Sequence, residues 1–95
     1  MLLDQVLSKS REVNAIANRY DISNPRVFGS VARREEDGDS DIDILIDAGP
    51  HCTLLSIGGM VADLEELFGR QVDIRTLGDL HPKMRSRVLA EALSL

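Results

Sequence analysis

The residues with the most chemical promise lie between Val27 and Asp47, in the run VFGSVARREEDGDSDIDILID. Gly29-Ser30 follows a short apolar stretch and precedes a segment able to form a helix. A helix start offers unpaired backbone N–H groups and a partial positive charge, which suit phosphate. Glycine lets an anion approach the backbone closely, and serine can add a hydroxyl contact. Read alone, Gly-Ser serves equally well as a turn and a cap. Ten residues further on come Asp41 and Asp43. Side chains at i and i+2 of a strand leave the same face, so both carboxylates point one way. Two like charges so close repel and favour a cation between them. Hard oxygen ligands of this kind suit Mg²⁺, which also binds phosphate oxygens. An isolated Asp-x-Asp is as readily the solvent face of an edge strand. Here Ile42, Ile44, Leu45 and Ile46 point to a largely buried strand, where acids need a reason. Asp73 repeats the theme between Val72 and Ile74, and completes a three-carboxylate site if its strand lies beside the second.

The elements that must position these residues follow from periodicity. Residues 2–20 place Leu3, Val6, Leu7, Val13, Ile16, Ala17 and Tyr20 mostly at the spacing of an amphipathic helix. Asp21 to Pro25 is mostly polar and ends in proline, which predicts a stop. Arg26-Val27-Phe28 is a strand candidate closed by Gly29-Ser30, with Ser30 as N-cap of a short helix over Val31–Glu35. Glu36–Ser40 is a turn. Asp41–Asp47 is the clearest strand, with Asp41, Asp43, Leu45 and Asp47 on one face and three isoleucines on the other. Thr53–Phe68 reads as a helix ended by Gly69. Gln71–Thr76 reads as a third strand, and His81–Leu93 as a last helix with Pro82 in its first turn. The alternation predicts an α/β fold, a small three-stranded mixed sheet packed by helices, in one domain over 1–95.

Composition narrows the function classes. Acidic residues outnumber basic ones 16 to 11, for a net charge of −5, which disfavours direct nucleic-acid binding. It leaves nucleotide chemistry open, because a divalent cation inverts the local electrostatics. Cys52 is the single cysteine, with no partner for a disulfide or a zinc site, and a reducing cytoplasm is the expected setting. The N-terminal stretch has neither the basic lead nor the long apolar run of a signal peptide or membrane span. His51 and His81 read as loop or cap residues, Met60 and Met84 as core or interface filler. Arg70, Arg75, Arg85 and Arg87 are solvated charges or a basic patch for a partner, and Ser56, Gly58 and Gly59 mark close packing in the middle helix.

Gly-Ser, ten residues, then Asp-x-Asp arises by chance in about one chain in a thousand of this length. The segment GSVARREEDGDSDIDILID resembles the signature of the DNA polymerase beta-like nucleotidyltransferase superfamily. Within it, the chain is most similar to the minimal nucleotidyltransferase (MNT) group, often encoded as antitoxins beside a helical HEPN-domain toxin. The resemblance extends over the leading helix, Asp73 and the closing LHPKMRSRVLAEAL segment. It implies that Gly29 and Ser30 contact a triphosphate, with Arg33, inside GSVAR, favoured over Arg34 as a further phosphate contact. It also implies that Asp41 and Asp43 hold two magnesium ions, while Asp73 binds the catalytic one and helps deprotonate the acceptor. The expected function is then a Mg²⁺-dependent nucleotidyltransferase antitoxin that adenylylates a HEPN toxin using ATP, in a hetero-oligomer with that toxin. A binding-only antitoxin and a small-molecule nucleotidyltransferase are the competing expectations.

Overall fold

The structure, a computed structural model, describes residues 2–35, 37–38 and 40–95. Glu36 and Asp39 of the expected turn lie outside the described residues, but Asp37 and Ser40 close that turn: Asp37 N–H donates to Ser40 Oγ at 2.9 Å.

The leading helix is two helices, α1 (Leu2–Ser8) and α2 (Ser10–Arg19). The break falls at Lys9, where Ser8 Oγ donates to the Gln5 carbonyl at 2.7 Å, the local bond by which serine competes with helix continuation. It lets Leu3 and Val6 on one side, and Val13, Ile16 and Ala17 on the other, reach the same core.

The sheet has four strands in the order β3-β2-β1-β4 rather than the three expected. Strand β1 (Ile22–Phe28) runs antiparallel to β2 (Ile42–Ala48), and β2 runs parallel to β3 (Val72–Arg75). β1 starts four residues before the expected Arg26. A register shift between Ser23 and Arg26, with Asn24 at φ +53°, forms a bulge that admits Pro25 into a strand. Arg26 Nη2 and Asn24 Nδ2 both donate to the Asp47 carboxylate across the sheet, at 2.8 and 3.0 Å.

The last helix, α5 (Pro82–Glu91), stops short of the expected Leu93. Leu93–Ser94 form β4, paired antiparallel with Val27 and Arg26, and Leu95 N–H donates to the Pro25 carbonyl at 2.9 Å. The outer edge of β1 would otherwise present unpaired backbone groups, so pairing outcompetes two further helical residues whose periodicity fits either state.

The later helices are capped at their ends. Thr53 and Ser56 form a reciprocal capping box on α4 (Leu54–Phe68), and Gly69 ends it at φ +65°. His81 caps α5, its Nδ1 accepting from Lys83 N–H at 3.2 Å. A Cβ at Gly59 would sit 2.6 Å from the Tyr20 ring, the close packing expected there, whereas Gly58 faces open space. Among the described residues no helix is long and apolar enough to cross a membrane.

Strand β2 divides the protein into two cores. Ile42, Ile44 and Ile46 are buried with Val13, Met60 and Leu64 beneath α2 and α4. On the opposite face Leu45, fully buried, packs with Phe28, Leu80 and Val88. This small second cluster fastens α5 over the face that carries Asp43. Leu45→Ala is therefore expected to cost about 2–4 kcal/mol. Urea unfolding should show a lower midpoint at unchanged slope.

Candidate active site

Three backbone features bring the acidic and glycine motifs together. Phe28, the last residue of β1, pairs with Asp43 on β2, and Asp43 pairs with Asp73 on β3. Parallel neighbours at one level stand about 4.8 Å apart, so two carboxylates leave the same face side by side. Gly29 follows Phe28 with φ +75°, and a Cβ there would lie 2.3 Å from Asp43 Oδ2. Only glycine lets the turn touch that carboxylate.

The turn continues as a single helical turn, α3 (Gly29–Ala32), anchored by the fully buried Val31. Its N-cap is Phe28, so Ser30 lies within the first turn and does not cap, contrary to the sequence reading. The helix also ends earlier than Glu35. Arg34 takes a left-handed conformation at φ +59°, and Glu35 N–H returns to the Ser30 carbonyl at 2.8 Å, a Schellman-like stop. Among the described residues nothing hydrogen-bonds the Ser30 hydroxyl. The two arginines part here: Arg34 donates to Asp4 of α1 at 3.1 Å, while Arg33 stays with the site.

Asp43 and Asp73 line a cleft of about 280 Å³ with Phe28, Arg75, Leu80 and Met84. Burial, then the charges of Asp73 and Asp41, push the Asp43 carboxyl up to about 6, with Arg75 and Arg33 pulling partly the other way. Such a site lacks positive charge. Asp73 is balanced locally by Arg75, whose Nε and Nη2 both approach Asp73 Oδ2 at 3.1 Å. Asp41 is exposed, one residue before β2, and borders a separate hollow with Gly38, Ser40, Arg70 and Gln71. It acts on Asp43 through its charge, from the rim. Among the described residues no three His, Cys, Asp or Glu side chains converge on one point as a metal cage. The donor chemistry is nevertheless that of a hard cation: facing carboxylates, one of them raised by burial and by its acidic neighbours, a setting that added positive charge would relieve.

Several site residues escaped the sequence reading. Glu91, at the end of α5, accepts from Gly29 N–H at 2.6 Å and from Arg33 Nη1 at 2.8 Å. In VLAEALSL it looks like any acid on a solvated helix, and no spacing signals its position. Leu80 and Met84 wall the cleft, with Met84 46% exposed rather than core. The four arginines that read as solvated charges or a basic patch each have a partner in the fold: Arg75 serves Asp73, Arg70 donates to the Ser40 carbonyl, Arg85 donates to the Leu77 carbonyl, and Arg87 stands 3.7 Å from Glu91.

The nucleotidyltransferase domain model matches residues 10–95. The chain belongs to the nucleotidyltransferase domain family. Among relatives of this nucleotidyltransferase, a Methanocaldococcus jannaschii protein provisionally named a protein adenylyltransferase is 35% identical over 85 residues, which covers 90% of this chain and 91% of that protein. The protein adenylyltransferase MntA of Thermococcus cleftensis is 33% identical over 78 residues, covering 82% of this chain and 79% of its own. A solved structure provisionally assigned as a minimal nucleotidyltransferase superposes with a TM-score of 0.88 at 38% identity, covering 100% of this chain and 97% of that one. A toxin-antitoxin structure solved with AMP-PNP superposes at 0.73 and 16% identity over 90% of this chain and 70% of that one, a likeness of fold alone. The nucleotidyltransferase fold is thus a mixed four-stranded sheet packed by helices, with the Gly-Ser turn and two of the three aspartates on one face.

Proposed function

We infer that this nucleotidyltransferase is an antitoxin that transfers an adenylyl group from ATP to a HEPN-type toxin. The observation that carries the reading is the contact of the Gly29 backbone with the Asp43 carboxylate, itself in register with Asp73. A phosphate seated at Gly29 and Ser30 lies against that acidic pair, and only with a cation between them is the juxtaposition favourable. Relatives named as protein adenylyltransferases, and a toxin-antitoxin neighbour solved with AMP-PNP, support the adenylyl donor and the toxin partner.

Asp43 and Asp73, with Asp41 at the rim, would hold magnesium, which supplies positive charge to the phosphates and to the developing oxyanions. The chain's own groups do the rest. Gly29 N–H, the Ser30 hydroxyl and Arg33 hold the phosphate chain in place. An acceptor hydroxyl of the toxin attacks the α-phosphorus; the new P–O bond forms as the bond to the pyrophosphate oxygen breaks, and the acceptor proton passes to the Asp73 carboxylate. Leu80, Met84 and Phe28 give the cleft an apolar wall that limits water.

The test is neutralisation in cells that express the neighbouring toxin gene. An Asp41→Asn, Asp43→Asn double variant should fold, still bind the toxin, and fail to relieve growth arrest. Relief equal to that of the parent chain would leave an antitoxin that acts by contact alone.

A further inference from the structure

The Glu91 carboxylate bridges two of the groups assigned to the phosphates, the Gly29 N–H and the Arg33 guanidinium. Its side chain is 14% exposed, and a single oxygen, Oε2, takes both Gly29 N–H at 2.6 Å and Arg33 Nη1 at 2.8 Å. A carboxylate oxygen shared by a backbone N–H and a guanidinium stands in for an anionic phosphate oxygen. The other face of Arg33 is also taken, its Nε donating to Glu35 Oε1 at 2.7 Å. A backbone N–H is a single donor. It cannot serve Glu91 and a phosphate oxygen together, and the two anions would repel at that distance.

Resting on the phosphate reading above, we propose that Glu91 is an affinity-setting residue: an internal anion that occupies the phosphate contacts of Gly29 and Arg33 and exchanges places with the incoming triphosphate. The exchange needs no movement of the main chain. The end of α5 is held by the Leu45–Phe28–Leu80–Val88 cluster and by the pairing of β4 with β1, so only the Glu91 side chain must turn. Arg87, one helical turn earlier, already stands 3.7 Å from Glu91 Oε1 and offers a partner for the displaced carboxylate. After transfer the carboxylate competes with pyrophosphate for the same contacts and so hastens its release.

A purely structural role for Glu91 predicts the opposite sign of effect, which makes the inference testable. Calorimetric titration with Mg²⁺ tripolyphosphate and with Mg²⁺ AMP-PNP would compare the parent chain, Glu91→Gln and Ser30→Ala. Glutamine keeps an oxygen for Gly29 N–H but gives up the charge, so Glu91→Gln should tighten both ligands by about three- to tenfold. Ser30→Ala should weaken them. If Ser30→Ala weakens binding while Glu91→Gln leaves it equal or weaker, Glu91 only braces the turn; the inference fails and the phosphate reading stands. If Ser30→Ala binds like the parent chain, the phosphate reading itself falls and takes this inference with it. A second measurement needs no variant. In the parent chain the Gly29 amide and the Glu91 carboxyl carbon should both shift in NMR spectra as Mg²⁺ tripolyphosphate saturates the site. A saturated complex with neither signal moved would overturn the exchange.

Discussion

Asp43→Asn should lower the rate of nucleotidyl transfer by about three orders of magnitude or more, yet make the metal-free chain more stable at neutral pH. Both effects come from one cause. Asp43 sits half-buried between Phe28 and Asp73, with burial and its acidic neighbours raising its carboxyl to about 6 from the ordinary 3.8. A raised carboxyl means that the folded state binds the proton more tightly than the unfolded chain does. The contribution of Asp43 to stability is therefore full below about pH 4, is lost as pH rises towards 6, and stays lost above it. Asparagine has no proton to lose. The variant should match the parent chain near pH 4, pull ahead between 4 and 6, and hold a constant lead above. The full shift would correspond to about 3 kcal/mol, but solvent reaches the carboxylate, so a lead of about 1–2 kcal/mol is expected. Thermal or urea unfolding of the metal-free proteins across that pH range checks it. A variant less stable than the parent at pH 7.5 would contradict the account of Asp43 as a carboxylate awaiting a cation.

Gly29→Ala is the second large effect, and it separates activity from stability in a different way. Positive φ costs an L-residue about 1–2 kcal/mol. The added methyl must also displace Asp43 Oδ2, which lies 2.3 Å from its position. The carboxylate is the free end of a side chain, so the fold can absorb the clash and the total loss of stability should stay near 2 kcal/mol. Transfer cannot absorb it as easily. A shift of about 1 Å between the phosphate turn and Asp43 should cost about a hundredfold in kcat/KM. Chemical denaturation beside steady-state kinetics makes the comparison. A large loss of stability with kinetics unchanged would place Gly29 in the fold and outside the site.

What the sequence disclosed follows from how local each signal was. The isoleucines of DIDILID and the glycine ending α4 rest on neighbours within a few residues, and the structure has them where periodicity and capping put them. The same holds for Asp43 and Asp73, because two strands with the same pattern came to lie parallel and in register. Features set by distant partners were not legible. β4 forms because β1 needs an edge partner, and nothing in Leu93-Ser94 says so. β1 runs through Pro25 because a bulge with Asn24 at positive φ removes the conflict that proline would create. Arg33 and Arg34 were nearly equivalent in sequence; a left-handed Arg34 sends one to Asp4 and leaves the other by Glu91. Glu91 itself is separated from Gly29 by 62 residues, a contact that only the packing of α5 brings about.

The most direct measurement follows two labels through one reaction. The protein is mixed with the HEPN-type toxin proposed as its acceptor, Mg²⁺, and ATP carrying a label on either the α- or the γ-phosphorus, beside the Asp41→Asn, Asp43→Asn variant. Adenylyl transfer places the α-label on the toxin, releases the γ-label in pyrophosphate, and moves neither label in the variant. A toxin that takes up the γ-label, or the α-label equally with parent and variant, would contradict the carboxylate-centred transfer described above.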